Sequence, residues 1–144
     1  MSNDEYPIPE DFAHLGETDF MRVFEHPGRS VVLAVRKAGT AFPLEDVTAV
    51  HRAITTFGYT ETWGLIFDTR PVTGNSDPRF EEAITRVNDA LLRHFSRMAV
   101  LVRSAIGQLQ AERLVIPGER MLVTADFDAA LNFVAPNSDP SAQN

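Results

Sequence analysis

The side chains able to do chemistry are few in this chain, and they do not cluster in sequence. There is no cysteine, which removes disulfides, thiolate catalysis and cysteine-ligated zinc. The four histidines, His14, His26, His51 and His94, contain no i, i+4 pair and no H-E-x-x-H. They read as surface or half-buried structural residues, and no metal site is expected. No G-x-G-x-x-G or Walker pattern is available to cradle a phosphate, and no serine sits in a G-x-S-x-G elbow. The adjacent acids Glu45-Asp46 and Glu81-Glu82 point different ways on helices. They read as solvated first-turn acids favoured by the helix dipole, not as an acid–base pair.

What remains is a set of polar residues at predicted strand ends: Thr40, Asp68, Arg70, Ser76, Asp77, Arg103 and Asp126. In an open parallel sheet, ligands and partners meet the carboxyl ends of the strands. One reading makes this set a recognition face, with helix N-termini offering N–H groups to an anion. The other makes Ser76, Asp77, Ser104 and Asp126 helix caps, each stabilising by about 1 kcal/mol, and pairs Asp68 with Arg70 or Arg103. Both readings place no catalytic set here, and neither an enzyme nor a cofactor is expected.

The elements that must position these residues follow from periodicity. Phe20 to Glu25 alternates as a first strand, and His26-Pro27-Gly28-Arg29 is turn chemistry. Ser30 to Arg36 (S-V-V-L-A-V-R) is a nearly unbroken apolar run, which predicts a strand buried on both faces. Pro43, Glu45 and Asp46 open a helix whose stripe is Leu44, Val47, Val50, Ile54 and Phe57, closed by Gly58. Trp63 to Phe67 is a third strand. A second helix begins at Pro78 with Phe80, Ala83, Ile84, Val87 and Leu91 inward.

Met98 to Val102 is a fourth strand, Ser104 caps a helix carrying Ile106 and Leu109, and Met121 to Thr124 is a fifth strand. Asp126 caps a last helix with Ala130, Phe133 and Val134 inward. The order β-β-α-β-α-β-α-β-α predicts an α/β domain. Its small, mixed, mostly parallel five-stranded sheet carries four helices, right-handed crossovers and an antiparallel first strand at the edge. Residues 1–17 read as a flexible arm, 18–135 as a single domain and 136–144 as a disordered tail. The apolar run Leu114-Val115-Ile116 has two readings: an exposed patch for a partner, or a segment folded back under the fifth strand.

This element order resembles the STAS or SpoIIAA-like fold. So do the buried strand Trp63–Phe67 ending in Asp68, the polar loop into Pro78, and the closing stretch from Leu122 to Leu131. The resemblance covers about residues 19 to 135 and implies a non-enzymatic bacterial-type signalling module that binds partner proteins. Some members are switched by phosphorylation of a serine at the start of the helix after the third strand. Here that loop reads Asn75-Ser76-Asp77-Pro78. Ser76 falls near the switch serine, and Asp77 stands beside it as a permanent negative charge where the family uses a phosphate. The wider SpoIIAA-like group implies an alternative, binding of lipids or other small apolar molecules.

The bulk properties fit either role. The 144 residues are 44% hydrophobic and 23% charged, enough for one globular core. A net charge of −7 with no cationic cluster argues against a nucleic-acid partner. No apolar run reaches the roughly 18 residues of a membrane helix, and the acidic start is unlike a secretory signal. The expectation is a cytoplasmic regulatory domain that binds a partner protein, with a homodimer as one form, through Asp68, Arg70, Asn75, Ser76 and Asp77. Thr40, Arg103 and Asp126 form a secondary face.

Overall fold

Strand formation is dictated by the apolar runs, and their burial sets the architecture. A computed structural model describes residues 7–40, 48–56, 62–72, 78–113, 115 and 118–135. Val31–Arg36 is the strand β3, buried at all six positions. It lies between β2 (Met21–His26) and β4 (Gly64–Asp68), and the sheet continues beyond β4 with β5 (Met98–Leu101) and β6 (Met121–Thr124). β2 pairs with β3 antiparallel through the turn at residues 27–30, and β3, β4, β5 and β6 are mutually parallel.

A further strand, β1 (Ala13–Glu17), pairs antiparallel with β2, so among the described residues the sheet has six strands in the order β1-β2-β3-β4-β5-β6. The five-stranded expectation is corrected on this point. The first predicted strand is not the edge, because part of the stretch read as an arm lies outside it. A-H-L-G-E is short and half exposed, so it carries no period-2 signal of its own. It is held by pairing with β2, by Phe12 against the Phe127 ring at 5.9 Å, and by Lys37 Nζ donating to Glu17 at 2.9 Å. That hydrogen bond and charge hold the Glu17 carboxyl below its usual range. A register shift between His14 and Gly16 breaks the exposed edge, a feature that discourages pairing with another chain.

Among the described residues, four helices follow the parallel strands: α1 (Thr48–Thr55), α2 (Pro78–Leu92), α3 (Ala105–Glu112) and α4 (Phe127–Val134). α2 opens at Pro78 as the sequence predicts, and Ser104 and Asp126 are the N-caps of α3 and α4. The predicted start of α1 at Pro43, Glu45 and Asp46, and its end at Phe57 and Gly58, lie outside the described residues. Right-handed crossovers between successive neighbouring strands place the intervening helices on one face. Accordingly Ile54 of α1 and Ala83, Val87 and Leu91 of α2 share a core with Val32, Leu65 and Met98, and Ala111 of α3 packs against it. α4 crosses the opposite face, where Ala130 and Val134 meet Leu33, Ile66 and Ala99.

Two local devices fix these layers. Arg120 ties the end of α2 to the start of β6, since its guanidinium donates to the Leu92 carbonyl, to Phe95 O at 2.7 Å and to Ser96 O at 2.9 Å. Leu92 is the last residue of α2, so its carbonyl is one that a helix end leaves without an intrahelical donor, and Phe95 and Ser96 belong to the connection that follows. Gly64 lets α4 lie directly on β4: a Cβ there would stand 2.1 Å from the Val134 carbonyl oxygen. Backbone on both sides leaves nothing flexible to yield. Gly64→Ala is therefore expected to lower unfolding stability by about 1–3 kcal/mol through overpacking, measured by urea denaturation; an unchanged midpoint would show that α4 can shift freely.

Candidate functional site

The described strand-end residues do not gather into one site. Asp68 is fully buried and receives a two-point contact from Arg70, Nε to Oδ1 at 2.9 Å and Nη2 to Oδ2 at 2.8 Å. The Arg70 backbone N–H adds a third bond to Oδ1 at 3.0 Å. Period-2 alternation puts Asp68 with Ile66 on the α4 side of the sheet, and the Arg70 guanidinium lies 5.8 Å from the Phe127 ring centroid. The ion-pair reading of Asp68 thus holds with Arg70 rather than Arg103. Its two carboxylate oxygens are committed, which suits a positioning element better than a reactive acid.

The other predicted residues divide between capping and a second location. Asp126 accepts from the Asp128 N–H at 3.0 Å, and Ser104 accepts from the Gly107 N–H at 3.1 Å. Thr40 Oγ1 donates to the Lys37 carbonyl at 2.6 Å, closing the turn after β3. Asn75, Ser76 and Asp77 lie outside the described residues. Of the apolar run after α3, Val115 packs against the core on the sheet side, as the folded-back reading expects, while Leu114 and Ile116 lie outside the described residues.

Arg103 belongs to a cavity of about 140 Å³ on the face opposite Asp68. Its floor is the sheet, through Phe67, Val100 and Met121; its walls are Phe80, Ile84 and Asn88 of α2 and Gly107, Gln110 and Ala111 of α3. Arg36, Thr69, Val102, Arg103 and Ser104 line the end toward the strand carboxyl termini. The arrangement follows from the register. Arg36, Thr69 and Val102 come two residues after Ala34, Phe67 and Val100, hence on the same face and one row further along. The cavity is therefore apolar over the sheet and polar at the strand ends.

The helices explain why the space is there. Phe80 and Ile84 lie on the inward face of α2 yet are only half-buried, while Ala83, Val87 and Leu91 are buried against the core. α3 has no buried residue at all and faces the sheet with Gly107 and Ala111. The sequence marked Ile106 and Leu109 as the apolar content of that helix, but they are 79% and 67% exposed. Small residues on the inward side leave the volume unfilled.

Two residues of this site escaped sequence reading. Arg36, 4% exposed, ends a strand that reads as purely apolar, and Asn88, 2% exposed, interrupts the apolar stripe of α2. The available signal was a cation and an amide at positions whose periodicity calls for burial. Burial pushes the Arg36 guanidinium below its usual range, and its Nη2 donates to the Thr40 carbonyl at 3.2 Å. Thr69 Oγ1 is directed to the Leu101 carbonyl at 2.7 Å.

No protein-family model, curated protein or solved structure matches this chain. Among the described residues, no cluster of three or more His, Asp or Glu side chains could hold a metal ion, and no helix is long and apolar enough to cross a membrane. The Asp68–Arg70 pair yields a stability prediction. Arg70→Met leaves a buried carboxylate without its cation and is expected to cost about 3–5 kcal/mol, whereas Asp68→Leu with Arg70→Met costs clearly less. Denaturant melts of the two single variants and the double variant read this out; additive losses would mean the pair is not coupled.

Proposed function

We propose that this protein is a non-enzymatic binding domain for a small, largely apolar molecule held between the sheet and helices α2 and α3. The observation that carries the reading is the cavity of about 140 Å³ itself. It is close in size to an apolar engineered cavity of about 150 Å³ that binds benzene. Apolar walls with a few polar groups at one end are the usual composition of a ligand site. Of the two roles implied by the resemblance to SpoIIAA-like domains, the small-molecule role is the one this space favours.

A protein-interaction role stands as the second reading, on a different observation. Ile106 and Leu109 are solvent-facing on the same helix that walls the cavity, and exposed apolar residues on one helix suit a partner surface. In this reading a ligand under α3 alters the surface that the partner meets. A Ser76 phosphorylation switch belongs to the same reading. Its discriminating measurement is whether Ile106→Glu with Leu109→Glu abolishes partner or self-association while leaving ligand binding intact.

The leading reading is tested with 1-hexanol as probe, followed by amide chemical shifts. Shifts are expected at Phe67, Val100, Val102 and Met121, and not on the α4 face. Ala111→Leu, which extends a side chain into the space, is expected to weaken hexanol binding by about tenfold, since roughly 1.4 kcal/mol of lost apolar contact corresponds to that factor. Hexanol shifts scattered over the whole surface, or binding unaffected by Ala111→Leu, would remove this reading.

A further inference from the structure

The two helices that wall the cavity are attached to the sheet unequally. α2 buries Ala83, Val87, Asn88, Leu91 and Leu92. α3 buries none of its residues and meets the cavity with Gly107, Gln110 and Ala111. Its large apolar side chains, Ile106 and Leu109, point to solvent and lend little to its attachment. Burial of apolar surface is the main force that fixes a helix on a sheet, and elements with few buried apolar contacts open at the lowest free energy. Both ends of α3 are nonetheless held. Ser104 caps its start, and Val115 packs against the core beyond its last turn. Inside these anchors, Arg113 Nη2 donates to Glu81 Oε2 at 2.5 Å and ties the end of α3 to the first turn of α2.

We propose that α3 is a movable wall of the cavity, and that the Glu81–Arg113 ion pair is the latch that holds it against α2. Ligand enters and leaves when the pair parts and α3 swings about Ser104 and Val115. This rests on the reading of the cavity as a binding site and adds how access to it is controlled. The pair suits a latch because it is weak and reversible. Glu81 is half-buried and Arg113 is exposed, and ion pairs in such settings are worth little and are screened by salt. A buried pair, such as Asp68 with Arg70, is a permanent tie instead. Ile106 and Leu109 ride on the same helix, so opening also displaces the exposed apolar surface.

Two measurements on the full chain test the latch and the gate. Native-state hydrogen exchange follows the wall without ligand. The amides of Leu109 to Glu112 are expected to exchange at least about tenfold faster than those of Ala83 to Leu91. Glu81→Gln is expected to raise the α3 rates alone by about two- to fivefold, the range of an exposed ion pair. Equal protection of the two helices, or no effect of Glu81→Gln, overturns the latch. NMR line shapes with 1-hexanol follow the gate. The exit rate is expected to rise by about the same factor in Glu81→Gln, and in the wild type between about 0.02 M and about 0.5 M sodium chloride, with that salt effect absent from the variant. The chain has no cysteine, so Glu81→Cys with Arg113→Cys can be joined by a reducible bifunctional thiol reagent no longer than the ion pair. Exit from the joined protein is expected to slow by about tenfold or more and to recover on reduction. Hexanol that leaves the joined and the reduced protein at one rate overturns the gate while the site stands. Failure of hexanol to bind at all removes the site, and the gate with it.

Discussion

Strands β3, β4 and β5 have no solvent face. Leu33, Ile66 and Ala99 are fully buried on one side, and Val32, Leu65 and Met98 are fully buried on the other. A parallel sheet of such strands is stable only when both faces are covered. The rest of the molecule is arranged by that requirement. Among the described residues, three helices cover one face and a single helix covers the other, because α4 follows the last strand while α1, α2 and α3 are each enclosed between two neighbouring parallel strands. The bare glycine at position 64 and the burial of Phe12 against Phe127 both serve the thinner, α4 side.

The two faces are covered with different closeness, and that difference produces the candidate site. On the α4 side backbone meets backbone, and the polar groups Asp68 and Arg70 satisfy each other. On the other side α2 brings Phe80 and Ile84 inward, while α3 brings Gly107, Gln110 and Ala111 and no large apolar side chain. Apolar burial normally drives large side chains inward, yet the two large apolar residues of α3 face out. The cavity and the exposed apolar surface are thus two consequences of one helix orientation.

The element order was legible in the sequence because periodicity and caps agree with one another. V-V-L-A-V, G-L-I-F and M-A-V-L are continuous apolar runs, and Pro78, Ser104 and Asp126 mark helix starts by chemistry that acts within a few residues. β1 was not legible, since its strand state is conferred by β2 rather than by its own alternation. The partner of Asp68 was legible only as a choice between two arginines. Arg70 is two residues away and follows the strand over the same edge, whereas Arg103 emerges above the opposite face.

By itself the sequence determined the class of fold, the sites of most helix starts and the two-sided burial of the central strands. These depend on local propensity and on a hydrophobic period that is visible in one dimension. Only the tertiary structure decided which polar residues share a space. Arg36, Thr69, Asn88 and Arg103 come from β3, the loop after β4, α2 and the loop after β5. Strand register and helix rotation bring them to one cavity, and they separate Asp68 from it by turning it to the other side of the sheet. A one-residue step along a strand reverses the face of a side chain, so a list of strand-end residues cannot by itself be a site.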